Sequence, residues 1–178
     1  MSKLIILGAG GYGHVIYDLI SQTDKFKEIH FLDDIQHEKN ILGNCNSFKR
    51  YISKNTVFYP AFGDGKVRVK WIRILEENNA RILTFVHNSA FISDSVNIEK
   101  GTIVMPKVII QANTKIKKGC IINCGSIIDH DCILEEGVHA CLGCIIKADN
   151  QIPAYLKIEA GQVIENKVFR KKGIHYEN

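Results

Sequence analysis

The chain has 178 residues, of which 46% are hydrophobic and 24% charged, with a formal net charge of +4. These values fit a globular protein with room for one large domain or two small ones. The basic excess is small and sits partly in the tail KVFRKK, so nucleic acid is not the expected partner and an anionic small molecule fits better. No apolar run reaches the length of a membrane span, and the opening MSKLIILGAG lacks a signal-peptide cleavage pattern. A cytoplasmic protein without a membrane partner is expected.

The first half alternates strand and helix. KLIILGAG is a short apolar run that ends in glycine, and GHVIYDLISQ has helical spacing. EIHFLDD and TVFYPAFG read as a second and a third strand, KVRVKWIRILEENN as an amphipathic helix, and ARILTFV as a further strand. Such a βαβ order predicts a parallel sheet over residues 1–85.

The stretch GAGGYGHV follows the first strand, and Gly8, Gly10 and Gly13 fit GxGxxG. Asp33 and Asp34 follow about twenty residues later, the place of the acids that hold a ribose hydroxyl. Glycines let backbone approach a phosphate, and a helix N-terminus attracts the anion. The literal motif points to NAD, but residues 1–85 make only half of a dinucleotide-binding fold, enough for one nucleotide. A second glycine turn, Phe62 to Arg68, follows the third strand and brings Gly63, Asp64 and Arg68 to the same end of the sheet. Tight strand-to-helix turns without a ligand are the alternative reading.

From residue 86 the period changes to six. Ile92, Ile98, Val104, Ile110, Ile116, Ile122, Ile128, Leu134, Ala140, Ile146, Ile152, Ile158 and Ile164 form an unbroken apolar series. Glycines recur at eighteen, at Gly101, Gly119 and Gly137 and at Gly125, Gly143 and Gly161. Three hexads make one turn of a triangular parallel β-helix. The sites two residues earlier, including Cys120, Cys132 and Cys144, point inward and are small, so these cysteines read as core. The chain has one CxxC, Cys141 and Cys144, with no second pair, and no metal site is expected.

Residues between the inward sites point outward and sort into three faces. One carries Asn97, Lys115, Ile133 and Gln151, a second Ile109, Ile127, Ile145 and Val163, and a third Ile103, Ile121, His139 and Lys157. Two largely apolar faces predict a homotrimer. His130 falls at a corner between Asp129 and Asp131, with Ala112 and Ala148 as its stacked neighbours. His139 falls mid-face, so the two histidines would share a site only across a subunit boundary. A solvated corner histidine among ordinary turn residues is the alternative.

Together, ILGAGGYGHV, FLDD, FGDGKVR, VHNSAFIS and SIIDHDCILEEGVH resemble the bacterial sugar acetyltransferases of the NeuD/PglD-like family. These act as sialic-acid O-acetyltransferases or as UDP-4-amino-sugar N-acetyltransferases. The resemblance implies a half-Rossmann domain over residues 1–85, then a β-helix of hexapeptide repeats over 86–178, left-handed against the usual crossover rule. It implies His130 as general base and Asp131 as the acid that orients it. Asn123 would lie near the sugar, and Gly10, Gly11, Tyr12, Gly13, Asp33 and Asp34 would hold the UDP part. Tyr12 stands where many members have histidine. His139 would contact acetyl-CoA, and an N–H of Gly143 or His139 itself would meet the acetyl oxygen. The ladder ends near Ile164, earlier than the family pattern, and Lys147, Lys157, Lys167 and Arg170 are the cations placed to meet CoA phosphates. The expected activity is N-acetylation of a UDP-linked 4-amino-dideoxy sugar with acetyl-CoA as cosubstrate and no metal. O-acetylation of sialic acid or a related sugar, and a non-catalytic nucleotide-sugar-binding role, are the alternatives.

Overall fold

The computed structural model describes residues 2–35 and 40–169. The chain divides into two compact units, one ending at Leu83 and the other starting at Thr84.

The first unit is a parallel sheet flanked by helices. In chain order it contains β1 (Lys3–Leu7), α1 (Gly11–Ser21), β2 (Glu28–Leu32), a 3-10 helix (Cys45–Tyr51), β3 (Thr56–Pro60), α2 (Gly65–Glu77) and β4 (Arg81–Ile82). The strand order is β2-β1-β3-β4, with every pairing parallel. Central β1 is an unbroken apolar run because both its faces are covered, and Leu4 to Leu7 have no exposed surface. α1 buries Gly13, Ile16 and Ile20, and α2 buries Arg68, Val69, Ile72 and Leu75, one face in each case. Asp64 caps α2 by accepting the N–H of Val67 at 2.9 Å.

The expected strands and helices of this unit are present. The 3-10 helix was not expected, since seven residues carry too little periodicity to register. Its Phe48 is buried and meets Phe58 and Trp71 edge-on. The segment read as one strand, ARILTFV, divides. Arg81–Ile82 joins β3, while Phe85–Val86 pairs with Ile103–Val104 in the second unit.

The second unit is built from two-residue strands. Each pairs in parallel with the strand eighteen residues away, as in Ile127↔Ile145 and Ile128↔Ile146. The strands stack into three sheets, the architecture of the expected left-handed β-helix. The hexad ladder supplies the second residue of each strand from Ile92 to Ile164. From Val104 to Ile152 these residues have no exposed surface. The second inward site is polar in places, and its three buried hydroxyls reach the carbonyl fifteen residues on. Thr102 donates to Lys117 O at 3.1 Å, Thr114 to Asp129 O at 2.8 Å, and Ser126 to Cys141 O at 2.8 Å. The Cys120 and Cys132 thiols do likewise to Glu135 O and Lys147 O. A narrow interior that must satisfy its corner carbonyls selects small donors at this site.

The three outer faces match the expected sets of residues, with one correction. Ile103 and Ile121 have no exposed surface within the single chain, so their face is already covered. The open apolar face is that of Phe91, Ile109, Ile127, Ile145 and Val163, with Phe91 61% and Val163 45% exposed.

Candidate active site

Two groups of expected residues lie in separate units. In the first unit they gather at the C-terminal ends of the parallel strands, where open α/β sheets present their loops. β1 runs into Gly8, whose φ of 98° favours glycine. Gly10 then caps α1 with no side-chain hydrogen bond. A Cβ at Gly10, Gly11 or Gly63 would meet nothing within 4 Å, so this rim is open to a ligand's approach.

The acids of this rim first serve the fold. Asp33 accepts the Ala9 N–H at 2.6 Å on one carboxylate oxygen and the Ile35 N–H at 2.7 Å on the other. It therefore ties the glycine loop to the end of β2. Asp34 accepts the Cys45 N–H at 2.8 Å. The reading of these two acids as ribose ligands is thus corrected in part, because each carboxylate already holds backbone.

Arg68 is corrected more fully. It has no exposed surface, and its guanidinium donates to the carbonyls of Phe62 at 2.6 Å and Gly63 at 3.1 Å. It braces the second glycine turn from beneath and does not present its charge to a ligand. The hydroxyls of Tyr12 and Tyr59 lie 2.8 Å apart. Burial, and then Tyr59, push the Tyr12 phenol well above its usual range, so it is a neutral hydrogen-bonding group. A cavity of about 340 Å³ in this unit, lined by residues between Leu42 and Arg50, includes none of the expected ligands.

In the second unit His130 stands at an edge of the prism. Its Nδ1 lies 2.7 Å from Oδ2 of Asp131, and its backbone N–H donates to Oδ1 of Asp129 at 2.8 Å. Asp131 has a φ of 57°, which places it in the left-handed region where Asp and Asn are better tolerated than most residues. Its other carboxylate oxygen accepts from Nδ2 of Asn113 at 3.1 Å. A carboxylate is an acceptor only, so Nδ1 of His130 carries the proton and Nε2 keeps a lone pair. The bond to Asp131 raises the His130 pKa above 6.5, aided by the charges of Asp129, Asp131 and Asp149 and opposed by desolvation. The same bond holds the Asp131 carboxyl below its usual 3.8, with Asn113 as the second cause. The side chains of His130 and Asp131 are 52% and 45% exposed, so in one chain water weakens their attraction.

The remaining expected residues lie elsewhere on the unit. Asn123 and Gly143 belong to the edge on the other side of the open apolar face. Asn123 Oδ1 accepts the Cys124 N–H at 2.9 Å. The Gly143 N–H donates to Cys124 O at 2.9 Å, which corrects its reading as an oxyanion donor, because the proton is already used. His139 is half-buried on the covered face, between Ile121 and Lys157 in register. Each of the three expected lysines is within ion-pair distance of a carboxylate: Lys147 with Glu165 at 2.6 Å, Lys157 with Glu159 at 3.2 Å and Lys167 with Asp149 at 3.7 Å. Such exposed pairs exchange partners at little cost. Arg170 lies outside the described residues. Among the described residues no cluster of His, Cys, Asp and Glu could hold a metal ion. Asn113 was missed in the sequence, although its spacing of eighteen from Asp131 places it one turn beneath.

Comparison with known proteins covers both units. Residues 3–75 match the family described as the PglD N-terminal domain. The chain is 28% identical over 179 aligned positions to GDP-perosamine N-acetyltransferase of Escherichia coli O157:H7, covering 92% of this chain and 78% of that protein. The acetyltransferase domain of PglB from Neisseria gonorrhoeae FA1090 superposes with a TM-score of 0.89 at 27% identity, covering 94% of this chain and 84% of that one. Over most of its length the chain is similar to sugar acetyltransferases. The complex of that PglB domain with acetyl coenzyme A superposes with a TM-score of 0.86, also at 27% identity, over 93% of this chain and 82% of that one. PerB from Caulobacter crescentus, in complex with CoA and GDP-perosamine, shares the fold at 22% identity and a TM-score of 0.69, over 96% of this chain and 92% of that one. Within this family fold, the described residues contain no helix long and apolar enough to cross a membrane.

Proposed function

We propose that this chain is an acetyl-CoA-dependent N-acetyltransferase acting on a nucleotide-linked 4-amino-dideoxy sugar, for surface glycan synthesis. The observation that carries this reading is the polarity of His130. With Nδ1–H turned to Asp131, Nε2 is left to take a proton. The sugar amine attacks the thioester carbonyl and loses one proton to Nε2. The tetrahedral adduct collapses with the C–S bond breaking, and the thiolate of CoA leaves and takes up that proton. The products are the N-acetyl sugar and free CoA. A positioned base of this kind contributes about 10² to 10⁴-fold in rate. The imidazolium formed in this step is stabilised by Asp131.

The rim formed by Gly10, Gly11 and Gly63 is the proposed seat of the nucleotide, with UDP as its expected carrier. GDP is the second reading, favoured by the GDP-perosamine acceptor named for the E. coli relative. O-acetylation of a sugar hydroxyl, sialic acid included, would use the same base. His139 and Lys147 are the proposed acetyl-CoA contacts, and Asn123 the proposed sugar contact. The open apolar face supports a homotrimer. His130 and Asn123 occupy the two edges that border this face, so burying it against further copies would set those edges side by side.

The test is thiol release from acetyl-CoA with UDP-4-amino-4,6-dideoxy-N-acetylglucosamine, GDP-perosamine and sialic acid as separate acceptors, for wild type and His130→Ala. Release with an amino sugar that collapses in the variant supports the proposal. Release with sialic acid alone would make the chain an O-acetyltransferase. No release with any acceptor, together with retained nucleotide-sugar binding, would leave the binding role.

A further inference from the structure

We infer that Asn113 is a positioning residue for this reaction: its amide fixes the Asp131 carboxylate and, through it, the orientation and tautomer of His130. The inference rests on the reading of His130 as the base.

The three edges of the prism are not equivalent. Residues with left-handed φ recur every eighteen positions at each edge. One edge uses Gly101, Gly119, Gly137 and Tyr155, and another uses Lys107, Gly125, Gly143 and Gly161, so both are mostly glycine. The edge of His130 uses Asn113, Asp131, Asp149 and Lys167, all with φ between 57° and 62°. A side chain at such a φ costs stability relative to glycine. At this edge the side chains are put to use. Ser95 Oγ accepts the Asn113 N–H at 2.9 Å, Asn113 Nδ2 donates to Asp131 Oδ1 at 3.1 Å, and Asp131 Oδ2 faces His130 Nδ1 at 2.7 Å. The two carboxylate oxygens therefore have different partners. With only the histidine as partner, the carboxylate could rotate and present either oxygen. The second bond removes that freedom. The amide orientation follows too, since only its NH₂ can face a carboxylate.

The backbone of the corner is held by other groups. The Thr114 hydroxyl, inside the prism, donates to Asp129 O at 2.8 Å and accepts the Cys132 N–H at 3.2 Å. Losing the Asn113 amide would thus free the carboxylate while leaving the turn in place. The charges that face His130 are Asp129, Asp131 and Asp149, the last with Lys167 at 3.7 Å.

The experiment compares wild type, Asn113→Gly and Asn113→Asp. Glycine keeps the left-handed backbone without the amide. Aspartate keeps the shape and replaces the donor with an acceptor. The readouts are the ¹⁵N shifts of the His130 ring across pH, assigned by their loss in His130→Ala, together with kcat, KM and melting temperature. In both variants we expect the single Nδ1–H tautomer to give way to a mixture. The His130 midpoint should fall toward 6.5 in Asn113→Gly and rise in Asn113→Asp, where a carboxylate is added. The kcat should drop about tenfold, within the range a base contributes, with KM for acetyl-CoA unchanged and no fall in the melting temperature of Asn113→Gly. Wild-type ring shifts in both variants would overturn the inference, whether or not melting or kcat fell. If the ring shifts change as expected but wild type acetylates no acceptor, the placement of His130 by Asn113 stands and the proposed function fails.

Discussion

A Cβ on Gly13 would lie 2.1 Å from the carbonyl oxygen of Gly8. The third glycine of the loop is therefore a packing requirement, where α1 presses on the turn that leaves β1. Gly13→Ala would gain helix propensity but must push the two segments apart. We expect a net loss of about 1–3 kcal/mol in urea unfolding, the usual cost of overpacking. Gly11→Ala, where the Cβ has open space, is the control and should cost far less.

Asp33 joins the same loop to β2 through two backbone N–H groups. Asp33→Asn replaces one accepting oxygen with an NH₂ that faces a donor. A loss of about 1–3 kcal/mol is expected. Nucleotide-sugar affinity, measured by calorimetry, should weaken with it, because the glycine loop loses its tether. Unchanged stability would show that the clamp contributes little.

The pH dependence of turnover follows from His130. The base is active when neutral, and the Asp131 bond raises its pKa above 6.5. Activity should rise with pH through that raised value and be lost below it. In Asp131→Asn the acidic limb should move to lower pH as the shift disappears. The plateau should fall as well, since an amide does not hold the tautomer or stabilise the imidazolium. A limb that does not move would separate Asp131 from the base.

Thiol reactivity tests the interior. Burial pushes the Cys45 thiol up to about 12 and Cys132 up to about 11. Cys120 and Cys144 have no exposed surface, Cys141 is buried with its thiol pushed up by desolvation, and Cys124 is the half-buried one. Because the thiolate is the reactive form, native protein at pH 8 should show one fast equivalent with a disulfide reagent. Cys124→Ser should remove it.

The open apolar face gives a test of assembly. Ile127 lies at its centre, in register with Ile109 and Ile145. Ile127→Glu would bury a charge in any interface formed there. Sedimentation at micromolar concentration should show trimers for wild type and smaller species for the variant.

The β-helix was the most legible part of the sequence, because its period of six belongs neither to a helix nor to an ordinary strand. Ile92 to Ile164 could be placed on its inner ladder without coordinates. The glycine loop was legible as a motif but not in its wiring. Nothing in FLDD says that Asp33 will spend its oxygens on Ala9 and Ile35, or that Arg68 will point inward. Those outcomes depend on where loops from β1, β2 and β3 meet, which spacing along one chain does not encode. Asn113 lay within reach of the eighteen-residue lattice, yet an asparagine three hexads before an aspartate carries no signal until edges are distinguished from faces.

The ladder also makes this fold a counting device. Its apolar series looks the same after any shift of six, whereas its edges return only after eighteen. Deleting one hexad between Asn113 and Ile128 would leave every position of the ladder filled by an apolar side chain. His130 and Asp131 would nonetheless be carried a third of a turn, onto a different edge, and Asn113 would no longer stand beneath them. Such a variant should still fold into a shorter prism while being chemically blind. Length changes in this chain therefore divide into those that keep the count and those that keep only the core.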